Sequence, residues 1–262
     1  MSMEHAKEYS YQELMVAAAS RELKDQEVVF VGIGIPQLGA LLAQRTHAPN
    51  LTLIYESGVV GTQPARLPLS IGDPTLVSGT YGIFNFYETF SLLLQRGFID
   101  VGFIGGAQVD KFGNINSTVI GDYDKPKVRL PGSGGGCEIT GLSKRIIIVT
   151  PHEKRRMVGK VDFITSPGFL DGPGARERFQ LGGGPSAVIT TMGVLRFDDR
   201  TKEMYLSSYH PGLSVDQVKQ NTGWDLKISP SVKTTEPPTV KEVEILRKDL
   251  DPQGIFLKRG VT

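Results

Sequence analysis

Residues 28–58 read VVFVGIGIPQLGALLAQRTHAPNLTLIYESG and contain the pattern that decides the fold. VVFV (28–31) and LTLIY (51–55) are short, almost wholly apolar runs, typical of strands buried on both faces of a sheet. Residues 35–46, which lie between them, have a helical composition. Because parallel strands need a long crossover, usually a right-handed helical one, this stretch predicts a βαβ unit.

Similar signals recur along the rest of the chain. Ser10 and Glu13 form a capping-box pattern that predicts a helix over residues 11–24, and Asn85 precedes a predicted helix over residues 86–96. Further strands are predicted at residues 100–106 and 145–150 and in a hairpin formed by VLRFD and MYLSSY. The predicted fold class is therefore α/β, with a mainly parallel sheet and helices on both faces.

The chain has no shift to a linker-like composition before residue 229, so one main domain is predicted over residues 1–228. Residues 229–239, SPSVKTTEPPT, resemble an extended linker. VKEVEILRKDLD follows as a predicted surface helix, and residues 229–262 are expected to pack on the main domain.

Composition excludes several classes of function. The chain has 29 Lys and Arg against 28 Asp and Glu, a net charge of +1 that predicts no nucleic-acid or acidic-membrane partner. No apolar run approaches the roughly 20 residues of a membrane span, and the first residues lack the apolar core of a signal peptide. A cytoplasmic location is expected. With 4 His and 1 Cys, all scattered, no protein-bound transition metal is expected.

Two glycine-rich stretches leave alternatives open. GIGIP (32–36) lacks the third glycine of a dinucleotide-binding fingerprint, so it is either a plain strand-to-helix turn or a set of amides facing a ligand. GSGGGCEIT (132–140) is either a flexible loop or a nest of N–H groups for an oxyanion, with the second interpretation slightly favoured. Cys137 and His210 are interpreted as structural residues.

Glu56 ends an apolar strand, where burying a carboxylate is costly unless the group is paired or functional. Ligands of open α/β sheets bind beyond the carboxyl ends of parallel strands, so the position favours function. Periodicity alone gives somewhat more weight to a salt bridge with an arginine such as Arg66 or Arg96.

Five stretches together resemble the β subunit, or C-terminal half, of family I coenzyme A transferases, most closely the glutaconate type. They are GIGIP, HAPNLTLIYESG, GGAQVDKFGNINST, PGSGGGCEI and LDPQGIFL, and they span most of the chain in the expected order. The resemblance implies that Glu56 is the covalent nucleophile and that Ser57 and Gly58 form the turn presenting it. It also maps the oxyanion-hole loop onto Gly134, Gly135 and Gly136, with Gln108 and Asn114 supporting the site.

The chemistry implied by the resemblance runs through an acyl–glutamyl anhydride and a glutamyl-CoA thioester at Glu56. Coenzyme A and acyl-CoA are then substrates, a small carboxylate is the acceptor, and no metal or permanently bound cofactor is expected. The resemblance also implies a separate α subunit, in a heterodimer or a higher assembly such as α2β2. Specificity for the acyl group is expected from residues 59–83 and from this partner.

Two alternatives remain at this point. The same fold supports CoA-dependent ring-opening hydrolases and decarboxylases, although in those relatives the glutamate position tends to be replaced. The other possibility is a non-catalytic subunit in which Glu56 is a buried ion-pair partner and the glycines are simple turns.

Overall fold

The computed structural model describes residues 4–257 of the 262-residue chain. Its α-helices are α1 (Tyr11–Ser20), α2 (Ile35–Arg45), α3 (Gly136–Leu142), α4 (Ala175–Arg178), α5 (Val215–Gln220) and α6 (Val240–Glu244). A 3-10 turn covers Pro74–Val77, and π-helical segments cover Glu88–Leu94 and Ile245–Leu250. None of the helices in this part of the chain combines the length and apolarity that crossing a membrane requires.

Fifteen strands are present in the same residues: β1 (Val28–Val31), β2 (Thr52–Ile54), β3 (Val59–Val60), β4 (Gly82–Ile83), β5 (Val101–Ile104), β6 (Gln108–Asp110), β7 (Ile115–Asn116), β8 (Val119–Gly121), β9 (Pro126–Arg129), β10 (Arg145–Thr150), β11 (Met157–Val158), β12 (Pro185–Thr190), β13 (Gly193–Phe197), β14 (Met204–Tyr209) and β15 (Lys227–Thr234). Ten of them form one sheet in the order β15-β14-β13-β12-β10-β5-β1-β2-β3-β4. A small sheet has the order β11-β6-β7, and β8 pairs with β9.

The predicted mainly parallel α/β sheet is confirmed. The five central strands, from β12 through β10, β5 and β1 to β2, all run parallel. The antiparallel pairs of this sheet lie towards its two ends, among β2, β3 and β4 on one side and β12, β13 and β14 on the other. The carboxyl ends of the parallel strands therefore share one edge, where ligands of such sheets bind.

Different layers cover the two faces of the large sheet. Helices α1 and α2 and the segment Ile245–Leu250 pack on one face. The other face carries α3 and the segment Glu88–Leu94, and beside them the small sheet. Side chains of one strand alternate between the faces, so Phe30 and Ile54 lie under α3 while Tyr55 is buried in the opposite core. By the same alternation, residue 56 lies on the face of the sheet that α3 covers.

The structure corrects four local predictions. Helix α1 ends at Ser20 instead of residue 24, and the predicted helix over 86–96 has π-helical hydrogen bonding over Glu88–Leu94. Strand β15, which pairs in parallel with β14, occupies much of the predicted linker and crosses residue 228. The last helix is not confined to the surface, because Leu246 and Leu250 are buried in the core. The domain division at residue 228 stays a prediction.

Candidate active site

The turn after β2 presents Glu56 and depends on Gly58. The Gly58 N–H donates to the Tyr55 carbonyl at 2.9 Å, and the Gly58 carbonyl accepts from Phe84 N–H at 2.9 Å. Gly58 has φ of +93°, and a Cβ there would lie 1.8 Å from the Phe84 carbonyl oxygen. Only glycine fits this combination of a left-handed conformation and close backbone contact. Ser57, in the same turn, is exposed.

The glycine-rich loop before α3 lies against the Glu56 carboxylate. A Cβ on Gly134 would be 3.5 Å from Glu56 Oε1, and one on Gly135 would be 3.1 Å from the same oxygen. The position of Gly135 is closed on its other side by the Phe90 ring, 2.5 Å from that Cβ. The loop therefore approaches Glu56 with its backbone, in a space that no side chain at 135 can share.

The three glycines of this loop differ in what their N–H groups do. Gly136 N–H donates to the Ser133 carbonyl at 2.9 Å, and the next amide, of Cys137, donates to Ser133 Oγ at 3.0 Å. Within residues 4–257, the N–H groups of Gly134 and Gly135 have no such acceptor. Among these three glycines, Gly134 and Gly135 are the two whose N–H groups remain available for a ligand.

A pocket of about 260 Å³ adjoins Glu56 at the carboxyl edge of the sheet. Gly135 and Gly136 form part of its wall, and Gly32 and Ile33 form another part. GIGIP thus reaches the pocket, and Gly32 N–H is already bonded to the Phe103 carbonyl at 2.9 Å.

Three serines in the same pocket were not predicted: Ser117, Ser133 and Ser166. The Ser166 main chain is bonded in both directions to Ile115, with N···O distances of 3.0 Å. Its hydroxyl oxygen would be 2.8 Å from a Cβ on Gly136. Ser117 and Ser133 belong to stretches the sequence singled out, but no local pattern marks Ser166.

In the described part of the chain, Glu56 has none of the ion pairs that the sequence left open. Arg66 instead forms a two-bond pair with Asp73, with both N···O distances 2.8 Å. This guanidinium holds the pKa of Asp73 well below its usual range. No cationic side chain within residues 4–257 pairs with the half-buried Glu56 carboxylate.

Gln108 lies in β6 of the small sheet and Asn114 in the turn before β7, and both lie outside the Glu56 pocket. Asn114 Oδ1 accepts from the N–H groups of Gly168 and Leu170 at 2.9 and 3.0 Å, and its amide donates to Asp110 Oδ2 at 3.0 Å. Gln108 Oε1 accepts from the Asn116 amide at 2.7 Å. Both side chains are buried and bonded within the protein, so they hold the scaffold near Ser166.

The remaining predicted residues have structural surroundings. Cys137 is at the start of α3, where burial and the neighbouring Glu138 raise the pKa of its thiol. His210 is fully buried and bonded to Thr235 Oγ1 at 3.1 Å and to the Thr190 carbonyl at 2.8 Å. Among the described residues, no cluster of three or more His, Cys, Asp and Glu side chains is arranged to hold a metal.

Comparison with known proteins matches residues 12–221 to the family described as Coenzyme A transferase. The chain is 48% identical to one subunit of the 3-oxoadipate CoA-transferase of Pseudomonas knackmussii, over 91% of this chain and 92% of that protein. It is 41% identical to the corresponding subunit of the glutaconate CoA-transferase of Acidaminococcus fermentans, over 95% of this chain and 96% of that protein. The crystal structure of the A. fermentans enzyme superposes with a TM-score of 0.90, covering 98% of this chain and 100% of that chain.

A more distant relative differs in length. The rat mitochondrial succinyl-CoA:3-ketoacid coenzyme A transferase 2A is 25% identical over 84% of this chain, but the match covers 40% of the rat chain. More than half of that polypeptide thus has no counterpart in this alignment.

Proposed function

The chain belongs to the coenzyme A transferase family, and we propose that it is the subunit of an acyl-CoA:carboxylate CoA-transferase that supplies the nucleophile, Glu56. The observation that carries this proposal is the contact between the Glu56 carboxylate and the Gly134–Gly135 main chain. It places the proposed nucleophile beside two N–H donors that have no acceptor in residues 4–257.

The first half of the proposed reaction ends in a thioester on the enzyme. A Glu56 carboxylate oxygen attacks the carbonyl carbon of the acyl-CoA thioester, and the carbon–sulfur bond breaks to give an anhydride and CoA thiolate. The thiolate then attacks the Glu56 carbonyl carbon of the anhydride. The original acyl group leaves as a free carboxylate, and CoA remains bound to Glu56 as a thioester.

The second half repeats these steps in reverse order. An incoming carboxylate attacks the Glu56 thioester carbonyl and expels CoA thiolate, which then attacks the acyl carbon of the new anhydride. The products are a new acyl-CoA and the regenerated Glu56 carboxylate. Protons and electrons balance without a metal or redox cofactor, and coenzyme A takes part as a substrate.

Each step passes through a tetrahedral carbon with a negative oxygen. The N–H groups of Gly134 and Gly135 are proposed to stabilise that oxygen, and a positioned donor of this kind lowers the barrier by about 3 kcal/mol. Gly136 is not proposed as a donor, because its N–H is bonded to Ser133. Its missing side chain leaves room for the Ser166 hydroxyl.

Short dicarboxylates are the proposed acyl groups. The relatives at 48% and 41% identity are named for 3-oxoadipate and glutaconate, which both carry two carboxylates. The three pocket serines, Ser117, Ser133 and Ser166, supply hydroxyl groups for a polar substrate. A companion α subunit and a cytoplasmic location complete the proposal.

Replacing the nucleophile tests the proposal. In the complex with its companion subunit, Glu56→Ala and Glu56→Gln should each lose at least about a thousandfold in CoA exchange between short dicarboxylates, because no covalent intermediate can form. After incubation with acyl-CoA, intact-protein mass spectrometry should show CoA added to the wild type and to neither variant. Exchange that persists in Glu56→Ala would exclude the nucleophile assignment.

The same assay separates transfer from its alternatives. Transfer gives a new acyl-CoA in an amount equal to the acid released, whereas a hydrolase gives free acid and free CoA. A structural role for Glu56 requires Glu56→Gln to lower the melting temperature substantially. An unchanged melting temperature with lost exchange leaves only the catalytic role.

A further inference from the structure

The three pocket serines differ in how their hydroxyl groups are bonded. Ser117 Oγ donates to the Gly132 carbonyl at 2.9 Å, and Ser133, which is exposed, accepts a backbone N–H at its Oγ at 3.0 Å. Ser166 is 1% exposed, and its hydroxyl has no hydrogen-bond partner within residues 4–257. Ser166 is therefore the pocket serine that is both buried and uncommitted.

A buried hydroxyl without a partner destabilises a fold, so its presence needs an explanation. Ser143, at the carboxyl end of α3, is also fully buried and unpartnered, but it does not line the pocket. Ser166 does line it. A ligand in the pocket can supply the partner that Ser166 lacks, whereas Ser143 is closed to any ligand there.

The main chain that carries the Ser166 hydroxyl is fixed on both sides. The Ser166 N–H and carbonyl are bonded to Ile115 with N···O distances of 3.0 Å. Thr165 Oγ1, one residue earlier, accepts from Ser117 N–H at 2.9 Å and lies 2.7 Å from Thr118 Oγ1. The hydroxyl is thus held in place before any substrate arrives, which lowers the entropic cost of using it.

The hydroxyl of Ser166 lies close to the proposed nucleophile along the glycine-rich loop. A Cβ on Gly135 would be 3.1 Å from Glu56 Oε1, and one on Gly136 would be 2.8 Å from Ser166 Oγ. Successive Cα atoms are about 3.8 Å apart. An acyl group bonded to Glu56 therefore brings the atoms next to its carbonyl carbon towards Ser166.

The lining of the pocket favours an uncharged partner for this hydroxyl. Within residues 4–257 it includes no Lys, Arg or His, and apolar Phe103, Ile104 and Ile139 form part of it. Burying a second carboxylate there against a single neutral donor would be costly. A carbonyl oxygen carries no such cost.

We propose that Ser166 is a specificity-determining residue, whose hydroxyl donates to an uncharged oxygen on the acyl chain near the reacting carbon, such as the oxo group of a 3-oxoacyl chain. The inference rests on the proposed function, because the bond to Glu56 places the acyl group. A chain without this oxygen leaves the hydroxyl unpartnered, so the site discriminates against it. Ser166 forms no covalent bond and transfers no proton, and the steps at Glu56 are unchanged.

Competition between two acids that differ only at this oxygen tests the proposal. In the complex with the companion subunit, equal amounts of 3-oxoadipate and adipate compete for the CoA of one acyl-CoA donor. Mass spectrometry measures the initial ratio of the two new thioesters, which equals the ratio of their kcat/KM values. A purely structural change alters the total rate and leaves this ratio unchanged.

The wild type should favour 3-oxoadipate, and Ser166→Ala should lower the ratio about tenfold, as expected for the loss of one hydrogen bond. Ser166→Cys, which keeps nearly the same size but is a weak donor, should lower it similarly and repeats the test if Ser166→Ala does not fold. Ser143→Ala is the matched control, because it also removes an unpartnered hydroxyl from a buried serine. Its ratio should equal that of the wild type.

An unchanged ratio in both Ser166 variants overturns the proposal, even if the total rate falls. An equal loss for the two acids would assign the hydroxyl to the tetrahedral oxygen that both share. A wild type that uses the two acids equally, or that transfers CoA to neither, also overturns the proposal.

Glu56→Ala, assayed in parallel, separates this inference from the proposed function. If Glu56→Ala still forms both thioesters while Ser166→Ala lowers their ratio, Glu56 is not the nucleophile and the assignment of Ser166 stands. If Glu56→Ala forms neither thioester and Ser166→Ala and Ser166→Cys keep the wild-type ratio, the nucleophile stands and the assignment of Ser166 does not.

Discussion

The loop Gly132–Cys137 and the segment Gln108–Asn114 were both expected at the active site, and they differ in what their polar groups do. In the loop, the Gly134 and Gly135 main chain lies against the Glu56 carboxylate, and the two N–H groups have no acceptor within residues 4–257. In the segment, the side chains of Gln108 and Asn114 are buried and bonded within the protein. Available donors are what the proposed reaction at Glu56 needs, whereas satisfied polar groups such as those of Gln108 and Asn114 stabilise the scaffold.

Among the changes that compare the loop with the segment, the largest effect is expected from Gly135→Ala. A methyl group there would lie 2.5 Å from the Phe90 ring and 3.1 Å from Glu56 Oε1, so the loop must move. Its N–H groups would then no longer point at the proposed oxyanion. We expect CoA exchange to fall at least about a hundredfold, the loss typical of one oxyanion donor. Steady-state exchange assays of the assembled enzyme measure this.

Gly141→Ala, in the helix that follows the loop, is the control for Gly135→Ala. A Cβ at Gly141 would make an ordinary contact of 3.6 Å with Leu181, so its activity should stay within about threefold of the wild type. Equal losses in the two variants would show that the helix as a whole, not the Gly135 contact, sets the rate.

A smaller effect, on stability instead of chemistry, is expected from Asn114→Ala. The change removes the acceptor for Gly168 and Leu170 N–H and one donor to Asp110, all in a buried environment. The free energy of unfolding should fall by about 2–4 kcal/mol, measured by urea denaturation. Exchange per folded complex should change less than tenfold.

The control for Asn114→Ala is Asn221→Ala, which removes one exposed hydrogen bond to the Gln217 carbonyl and should cost less than about 0.5 kcal/mol. A hundredfold loss of exchange in Asn114→Ala with unchanged stability would mean that Asn114 acts in the reaction and not only in the scaffold.

A pH dependence of stability is also expected, from two buried histidines. Burial lowers the pKa of both His152 and His210 to about 4, from the ordinary value of 6.5. The unfolded chain therefore binds more protons than the folded one between these values. Stability is fully present above pH 6.5 and falls as the pH drops towards 4, by about 2 kcal/mol per histidine at pH 5.

Unfolding of the wild type and His152→Asn across pH 5 to 8 measures this dependence. Both His152 nitrogens are bonded, to the hydroxyls of Thr190 and Thr222 at 3.0 Å, so a neutral amide is the conservative replacement. The variant should show a shallower decline below pH 6.5. An identical slope in the two proteins would mean that His152 does not titrate with unfolding.

Local patterns predicted most of the fold because strand burial and helix capping depend on residues that are close in sequence. The runs VVFV and RIIIVT became central parallel strands, and the capping box at Ser10 forms the expected reciprocal hydrogen bonds. The linker at 229–239 failed because Pro and Ser in an edge strand resemble an irregular segment. Its pairing with β14 depends on a distant partner that composition does not reveal.

The sequence indicated some residues of the candidate site and missed others. Glu56 followed from its place after a buried strand, but its choice over an ion pair with Arg66 required the family resemblance. In the structure Arg66 pairs with Asp73, so the alternative ion pair between Arg66 and Glu56 is not formed. Ser166 was not predicted, since its place in the pocket arises from main-chain bonds to Ile115, which is distant in sequence.

The sequence by itself determined the βαβ unit, the parallel sheet, and a carboxylate at the carboxyl end of β2, because strand periodicity and capping act over a few residues. Only the tertiary structure decided that Gly134 and Gly135 meet Glu56 while Gln108 and Asn114 do not. That outcome depends on the order of strands in the sheet and on which N–H groups find acceptors. Both are properties of the packed chain, which brings together residues that lie far apart in sequence.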